Sequence, residues 1–157
     1  MKIKLLCVGK NNRSVWFKSL EDYFKRINKY ASFTIEYVSD VKKVKKNIPH
    51  LIKKEETKKL ILKIKKEDVV VLLDEKGKSL NSSAFARKIE NYQNNGVQSL
   101  VFIIGGAYGF ADEIYKNFPN RICMSEMTFS HQMVRLFFCE QLYRAFTIIN
   151  NHPYHNP

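Results

Sequence analysis

Two uninterrupted apolar runs do most to limit what this chain can fold into: VVVLL at residues 69–73 and LVFII at residues 100–104. A strand with one wet face alternates apolar and polar residues. These runs have no polar face, so each reads as a strand covered above and below, like the inner strands of a parallel sheet. Around them, amphipathic stretches alternate with shorter strand-like runs, which is the α/β pattern. Residues 3–8 form a short β run closed by Gly9. Ser14 is placed to cap a helix carrying Trp16, Phe17, Leu20, Tyr23, Phe24 and Ile27 at spacings of three and four. Residues 33–38 alternate, as a half-exposed strand does. Asn47 followed by Pro49 suits a helix start, with Leu51, Ile52, Leu60, Ile61 and Ile64 as its apolar side. Asn81 or Ser82 opens a helix with Phe85, Ala86, Ile89 and Tyr92. A short helix over 111–115, a fifth strand over 121–124 and a long helix over 130–150 follow. The long helix turns Met133, Val134, Phe137, Phe138, Leu142, Phe146 and Ile149 inward. The expected architecture is α/β: one domain over residues 1–157, a mainly parallel sheet of five to six strands, and helices on both faces.

The 157 residues are of single-domain size. No apolar run approaches the roughly 20 residues of a membrane span, and the N-terminal run is too short for a secretory signal. Cys7, Cys123 and Cys139 are odd in number and form no CxxC pair, so they read as reduced, buried thiols of a cytoplasmic protein. The net charge of +12 is unevenly placed. Residues 100–157 hold four basic and four acidic side chains, so the whole excess lies before residue 100, densest over 42–66 with eleven lysines. Such an excess attracts a polyanion by counterion release. Nucleic acid fits better than a membrane, because no stretch joins this charge to a strong apolar face. The competing reading is a solvated lysine-rich face.

Three segments could carry chemistry. The strand at 100–104 runs into Gly105-Gly106-Ala107-Tyr108-Gly109, where backbone can approach a ligand beyond the carboxyl end of a strand. The pattern is neither G-x-G-x-x-G nor a P-loop, and a plain strand-to-helix turn explains it equally well. Met124-Ser125-Glu126-Met127-Thr128-Phe129 mixes hydroxyls, thioethers and an aromatic ring, a lining suited to a flat heterocycle and an apolar sulfonium chain. Its plain alternative is a loop with Thr128 or Ser130 as helix cap. The histidines (His50, His131, His152, His155) form no HExxH, Cys/His cluster or triad order, which leaves metal and hydrolase chemistry unsupported. Arg135 and Arg144, nine residues apart on the long helix, point to opposite sides and so serve different surfaces. Arg144 beside Tyr143 could grip a phosphate or base, or simply extend from a core helix. Residues 151–157 read as an exposed tail.

Six landmarks stand in order: VGK at 8–10, LDEKGK at 73–78, IIGGAYG at 103–109, SEMTFSHQMVR at 125–135, EQLYRA at 140–145 and NHPYH at 151–155. With them the chain resembles, nearly end to end, the RlmH (YbeA) family of SPOUT-class methyltransferases. The resemblance implies an enzyme that moves a methyl group from S-adenosylmethionine to N3 of a pseudouridine in 23S rRNA of the assembled ribosome. It also implies a homodimer and a C-terminal trefoil knot. By it, the cofactor residues are Leu73, Gly105, Met124, Ser125, Glu126, Met127, Thr128 and Phe129. Tyr154 and His155 are expected to close over the partner subunit's cofactor, with Arg144 and His131 orienting phosphate or base; no metal is implied. Two positions depart from the pattern: Ser130 where many relatives have Pro, and Asn156 where many have a basic residue. The competing readings are a non-enzymatic basic RNA-binding or assembly factor, and a SPOUT enzyme acting on tRNA.

Overall fold

A computed structural model describes residues 1–9, 16–41 and 48–155. Expectations for Lys10, Ser14, residues 42–47 and Asn156 lie outside the described residues. The elements run β1 (Lys2–Val8), α1 (Phe17–Ile27), β2 (Ser32–Val38), α2 (Pro49–Ile61), β3 (Val69–Ser79), α3 (Ser82–Asn94), β4 (Ser99–Ile104), α4 (Asp112–Asn117), β5 (Arg121–Cys123) and α5 (His131–Ile149). The five strands form one sheet in the order β2-β1-β4-β3-β5, every neighbouring pair parallel. Parallel neighbours need crossovers, and the helices supply them on both faces.

The two apolar runs are buried on both sides. Leu100, Phe102 and Ile104 of β4 join α1, α3 and α5 in one core, where the rings of Phe102 and Phe138 lie 4.7 Å apart. Val101 and Ile103 face the opposite way and pack with Phe110 and Ile114 near α2 and α4. Side chains on a strand alternate faces, so one uninterrupted run feeds two cores.

Several boundaries differ from the sequence expectation. α1 begins at Phe17 with Trp16 at its N-cap position. α2 starts with Pro49 at its first turn and stops at Ile61, so Ile64 lies past its end. Its Leu51 is 37% exposed, while Glu56 and Thr57 are buried. Asn81 caps α3 by accepting from the Ala84 N–H at 2.8 Å, and Ser130 caps α5 by accepting from the Met133 N–H at 3.5 Å. Ser130 has φ −62°, the value a proline ring would impose, so its replacement keeps the backbone and adds a cap. On α5 the inward set shifts: Phe137 is 37% exposed, whereas Arg135 is 3% exposed. The tail is not wholly exposed either. Tyr154 packs edge-on against Tyr143, with ring centroids 4.8 Å apart.

The largest departure is β3. Its apolar run ends at Leu73, yet the strand continues to Ser79. Leu73 and Lys78 both pair with Ile122, so residues 74–77 leave the ladder and return to it around β5. Gly77 makes that course possible. A Cβ there would stand 2.5 Å from the Ile122 carbonyl carbon, 2.6 Å from its nitrogen and 2.7 Å from the Cys123 nitrogen. These are backbone atoms of a paired strand and cannot rotate away. We expect Gly77→Ala to destabilise the fold by about 3 kcal/mol through this overlap. Gly96→Ala has open space around it and costs only the strain of its φ of +72°, about 1 kcal/mol. Urea unfolding of the two variants measures the difference.

Candidate active site

The carboxyl ends of β3, β4 and β5 converge on a cavity of about 430 Å³. This is the edge of a parallel sheet where loops rather than helices close the surface, and where ligands of such sheets sit. Leu73, Gly105 and all of Met124, Ser125, Glu126, Met127, Thr128 and Phe129 line it. One wall is the glycine loop after β4; the other is the loop between β5 and α5. Gly105 is narrow because Phe110 lies against it: a Cβ would meet the Phe110 ring at 3.2 Å and the Gly109 carbonyl carbon at 3.3 Å. Gly106 and Gly109 pair across the loop in an antiparallel bridge. Opposite them, Ser125 Oγ accepts from the Met127 N–H at 2.9 Å, and the Cys123 thiol donates to the Ser125 carbonyl at 3.0 Å. The second loop is thus held from within, leaving Met127 73% exposed at the mouth.

The cavity also has members that the sequence did not single out. Asp74 follows Leu73 where β3 leaves the ladder. Its Oδ1 accepts from the Lys76 N–H at 2.8 Å and its Oδ2 from the Tyr115 hydroxyl at 2.7 Å. Burial and the Asp74 carboxylate push the Tyr115 hydroxyl above its ordinary range, so it stays a donor. Lys53 reaches the cavity from α2. Asp74 lay within a landmark and could have been marked. Lys53 and Tyr115 carry no local signal, since only the crossovers bring α2 and α4 to this edge.

The four side chains expected to do catalytic work fall in two places. His131, at the first turn of α5, lines the cavity. Burial pushes its imidazole pKa down, and the Arg135 guanidinium adds to the effect. The positive end of the helix dipole acts in the same direction. Arg135 itself donates to the Val8 carbonyl at 2.5 Å and the Gly9 carbonyl at 3.0 Å, and lies over the Tyr37 ring. Arg144, Tyr154 and His155 form a second cluster near the other end of α5. Arg144 pairs with Glu140 at 2.6 Å and sits 4.8 Å from the Tyr154 ring centroid. Its Nη1 lies 3.4 Å from His155 Nδ1, and the Tyr154 hydroxyl donates to Glu140 at 3.3 Å. Thirteen helical residues separate His131 from Arg144, a rise of about 20 Å. The two arginines do serve different surfaces, as their spacing requires. Tyr143 is 9% exposed, so its ring supports this cluster from beneath and does not flank a free Arg144.

The three cysteines are free and buried, with the Cys7 thiol pushed up to about 12 by burial. Among the described residues there is no group of three or more His, Cys, Asp or Glu that could hold a metal, and no helix is long and apolar enough to cross a membrane.

Comparison with known proteins decides among these chemistries. The family model described as a predicted SPOUT methyltransferase matches residues 1–155. The chain belongs to the SPOUT methyltransferase family. Its similarity to individual members spans the whole length. It is 48% identical to the ribosomal RNA large subunit methyltransferase H of Flavobacterium psychrophilum, over 99% of both chains. Identity to the proteins of that name from Flavobacterium johnsoniae and Phocaeicola vulgatus is 46% and 47%, again over 99% of both. SPOUT methyltransferases take their methyl group from S-adenosylmethionine, and so does this chain. The cavity suits such a molecule. Its volume is in the range of small-molecule sites, two loops present backbone groups, and Leu73, Met124 and Phe129 offer apolar surface.

His131 should therefore be neutral at pH 7. Its lowered value contributes stability that is present above the unfolded-state pKa near 6.5 and is lost as pH falls through the folded value. A proton NMR titration, with His131→Gln to assign the signal, should give a midpoint below the ordinary histidine value of about 6.5.

Proposed function

We propose that this chain transfers a methyl group from S-adenosylmethionine to N3 of a pseudouridine in 23S rRNA. We further propose that it acts in the cytoplasm, as a homodimer of single SPOUT domains, on the assembled ribosome. The observation that carries the reading is full-length similarity to proteins named ribosomal RNA large subunit methyltransferase H, in a chain where the landmarks at 73–78, 103–109 and 125–135 meet around one cavity. The basic excess before residue 100 supports a polyanionic substrate. Among the described lysines of the dense stretch, Lys54 and Lys58 are exposed on α2.

The turn of β3 around β5 is our reading of the ring of the trefoil knot that family membership implies. Its support is the double pairing of Ile122 and the close approach of Gly77.

When bound, the cofactor supplies a methyl group already activated by its sulfonium. What remains for the protein is alignment, exclusion of water and removal of one proton. The glycine loop and residues 124–129 would hold the methionine and adenine portions mainly by backbone groups, with Leu73 beneath. As the N–C bond forms and the C–S bond breaks, the N3 proton must leave. His131 borders the cavity with a depressed pKa and can orient the base. Tyr154 and His155, beyond the end of α5, do not line the cavity of their own chain, so in this reading they serve the partner subunit's cavity, where they would meet the substrate and help take the proton. Arg144 would hold that tail by its contacts to Tyr154 and His155 and orient phosphate.

Two measurements test this reading. Calorimetry should show saturable S-adenosylmethionine binding, and Ala107→Trp, an exposed position lining the cavity, should weaken it at least tenfold; full affinity in that variant places the cofactor elsewhere. Ribosomes lacking the modification should gain a methyl group on a pseudouridine of 23S rRNA, read by mass spectrometry of nuclease digests. In that assay His155→Ala should lower turnover at least tenfold while leaving cofactor affinity unchanged. Unchanged turnover removes His155 from the mechanism.

A further inference from the structure

α2 buries two polar residues in an otherwise lysine-rich helix: Glu56 is 5% exposed and Thr57 1%. Glu56 stands in the row Ile52, Glu56, Leu60, four residues apart on the inward face. A buried carboxylate that forms no ion pair among the described residues carries a desolvation cost, so the position calls for a structural reason. Its Oε1 accepts from the Val41 N–H at 3.2 Å. Its Oε2 has no hydrogen-bond partner among the described residues. That oxygen instead fills the space where a Cβ on residue 106 would stand, with Val8 Cγ1 3.3 Å from the same point. Burial pushes the Glu56 carboxyl up, the Val41 N–H pulls it back, Asp40 adds to the rise and Lys59 opposes it. One residue on, Thr57 Oγ1 accepts from the Ala111 N–H at 3.0 Å. Gly106 and Ala111 bracket the glycine loop, and Gly106 borders the cavity while Glu56 does not. Two adjacent side chains thus grip both ends of the loop from behind.

We propose that Glu56 and Thr57 are positioning residues for the cofactor loop, and that residue 106 is glycine because Glu56 occupies its side-chain space. The pair sets how far the loop stands above the ends of β1 and β4, and so where its backbone groups face the cofactor. This inference rests on the reading that the cavity holds S-adenosylmethionine.

The test is a double-mutant cycle on the full chain, reading S-adenosylmethionine affinity by calorimetry and ribosome binding in parallel. Gly106→Ala should weaken cofactor binding about tenfold by forcing the loop off Glu56, and Glu56→Ala about fivefold by removing its support. Glu56→Gln, which keeps the size and the acceptor for Val41, should bind nearly as the parent does. Glu56→Ala combined with Gly106→Ala should be no weaker than Glu56→Ala alone, because the overlap has gone, and ribosome binding should not change in any of them. If Glu56→Ala does not fold by thermal unfolding, Glu56→Asp, one methylene shorter, replaces it in the pair. Additive losses in the double variant, or parent-like affinity in Glu56→Ala, overturn the proposal. Weak binding by Ala107→Trp alongside that result leaves the cavity reading standing. Parent-like binding by Ala107→Trp removes both.

Discussion

The backbone contact between Gly77 and β5 is the constraint on which the site depends. β5 is three residues long, too short to be held by one ladder, and it sits at the edge of the sheet. It is held by a doubled contact with β3: Leu73 and Lys78 both pair with Ile122, and Gly77 lies against the Ile122 backbone. Once β5 is fixed there, residues 124–129 must leave it beside the glycine loop of β4, two strands away. A cavity between the two loops follows from this geometry before any side chain is considered. Asp74, at the point where β3 departs, then ties the turn to α4 through Tyr115.

α5 transmits the same constraint to the rest of the molecule. It starts at the cavity with His131 and crosses the sheet between α1 and α3. Arg135 joins its first turns to the carboxyl end of β1, donating to two carbonyls that the ladder leaves free. A guanidinium this deeply buried is tolerated because carbonyl oxygens and the Tyr37 ring lie against it, while among the described residues it forms no ion pair. Its uncompensated charge then acts on His131 one turn away. The residue that anchors the helix also biases the proton affinity of the only expected catalytic side chain at the cavity of its own chain.

The fold was largely legible in the sequence because it rests on uninterrupted and periodic apolar patterns. The runs at 69–73 and 100–104 are buried on both faces, and Asn81, Pro49 and Ser130 mark helix starts. The extension of β3 to Ser79 was not legible, since DEKGK has neither strand propensity nor apolar alternation. Pairing of Lys78 and Ser79 with β5, a purely tertiary cause, holds it extended. The same holds for Phe137 and Arg135 on α5. Hydropathy places phenylalanine inside and arginine outside, whereas the free carbonyls at the end of β1 draw the arginine in and Phe137 is left against Phe129 at the cavity rim. In the site, the loops were visible as unusual composition. Lys53, Tyr115 and the buried Glu56 were invisible because they arrive from helices distant in sequence.

The split of the expected catalytic side chains along α5 has a consequence for assembly. Glu140 accepts from both Arg144 and Tyr154, and Arg144 in turn lies against His155, which joins the three side chains into one cluster. The cluster is therefore organised in the single chain and does not wait for substrate to order it. Yet a rigid helix of about 20 Å keeps it away from the cavity beside His131. Under the proposed function, a cluster so placed would take part in methyl transfer from another copy of the chain. In the proposed dimer each cavity would borrow the neighbour's tail, since only His131 of the four expected catalytic side chains lines the cavity of its own chain. Glu140 belongs to this argument too. It lines a second hollow of about 440 Å³ that shares Cys123, Met124, Ser125, Phe129 and Phe137 with the first cavity or its rim. Residues 123–125 and the packed pair of half-buried Phe129 and exposed Phe137 border both hollows, and in the proposed dimer a neighbouring tail would approach across them.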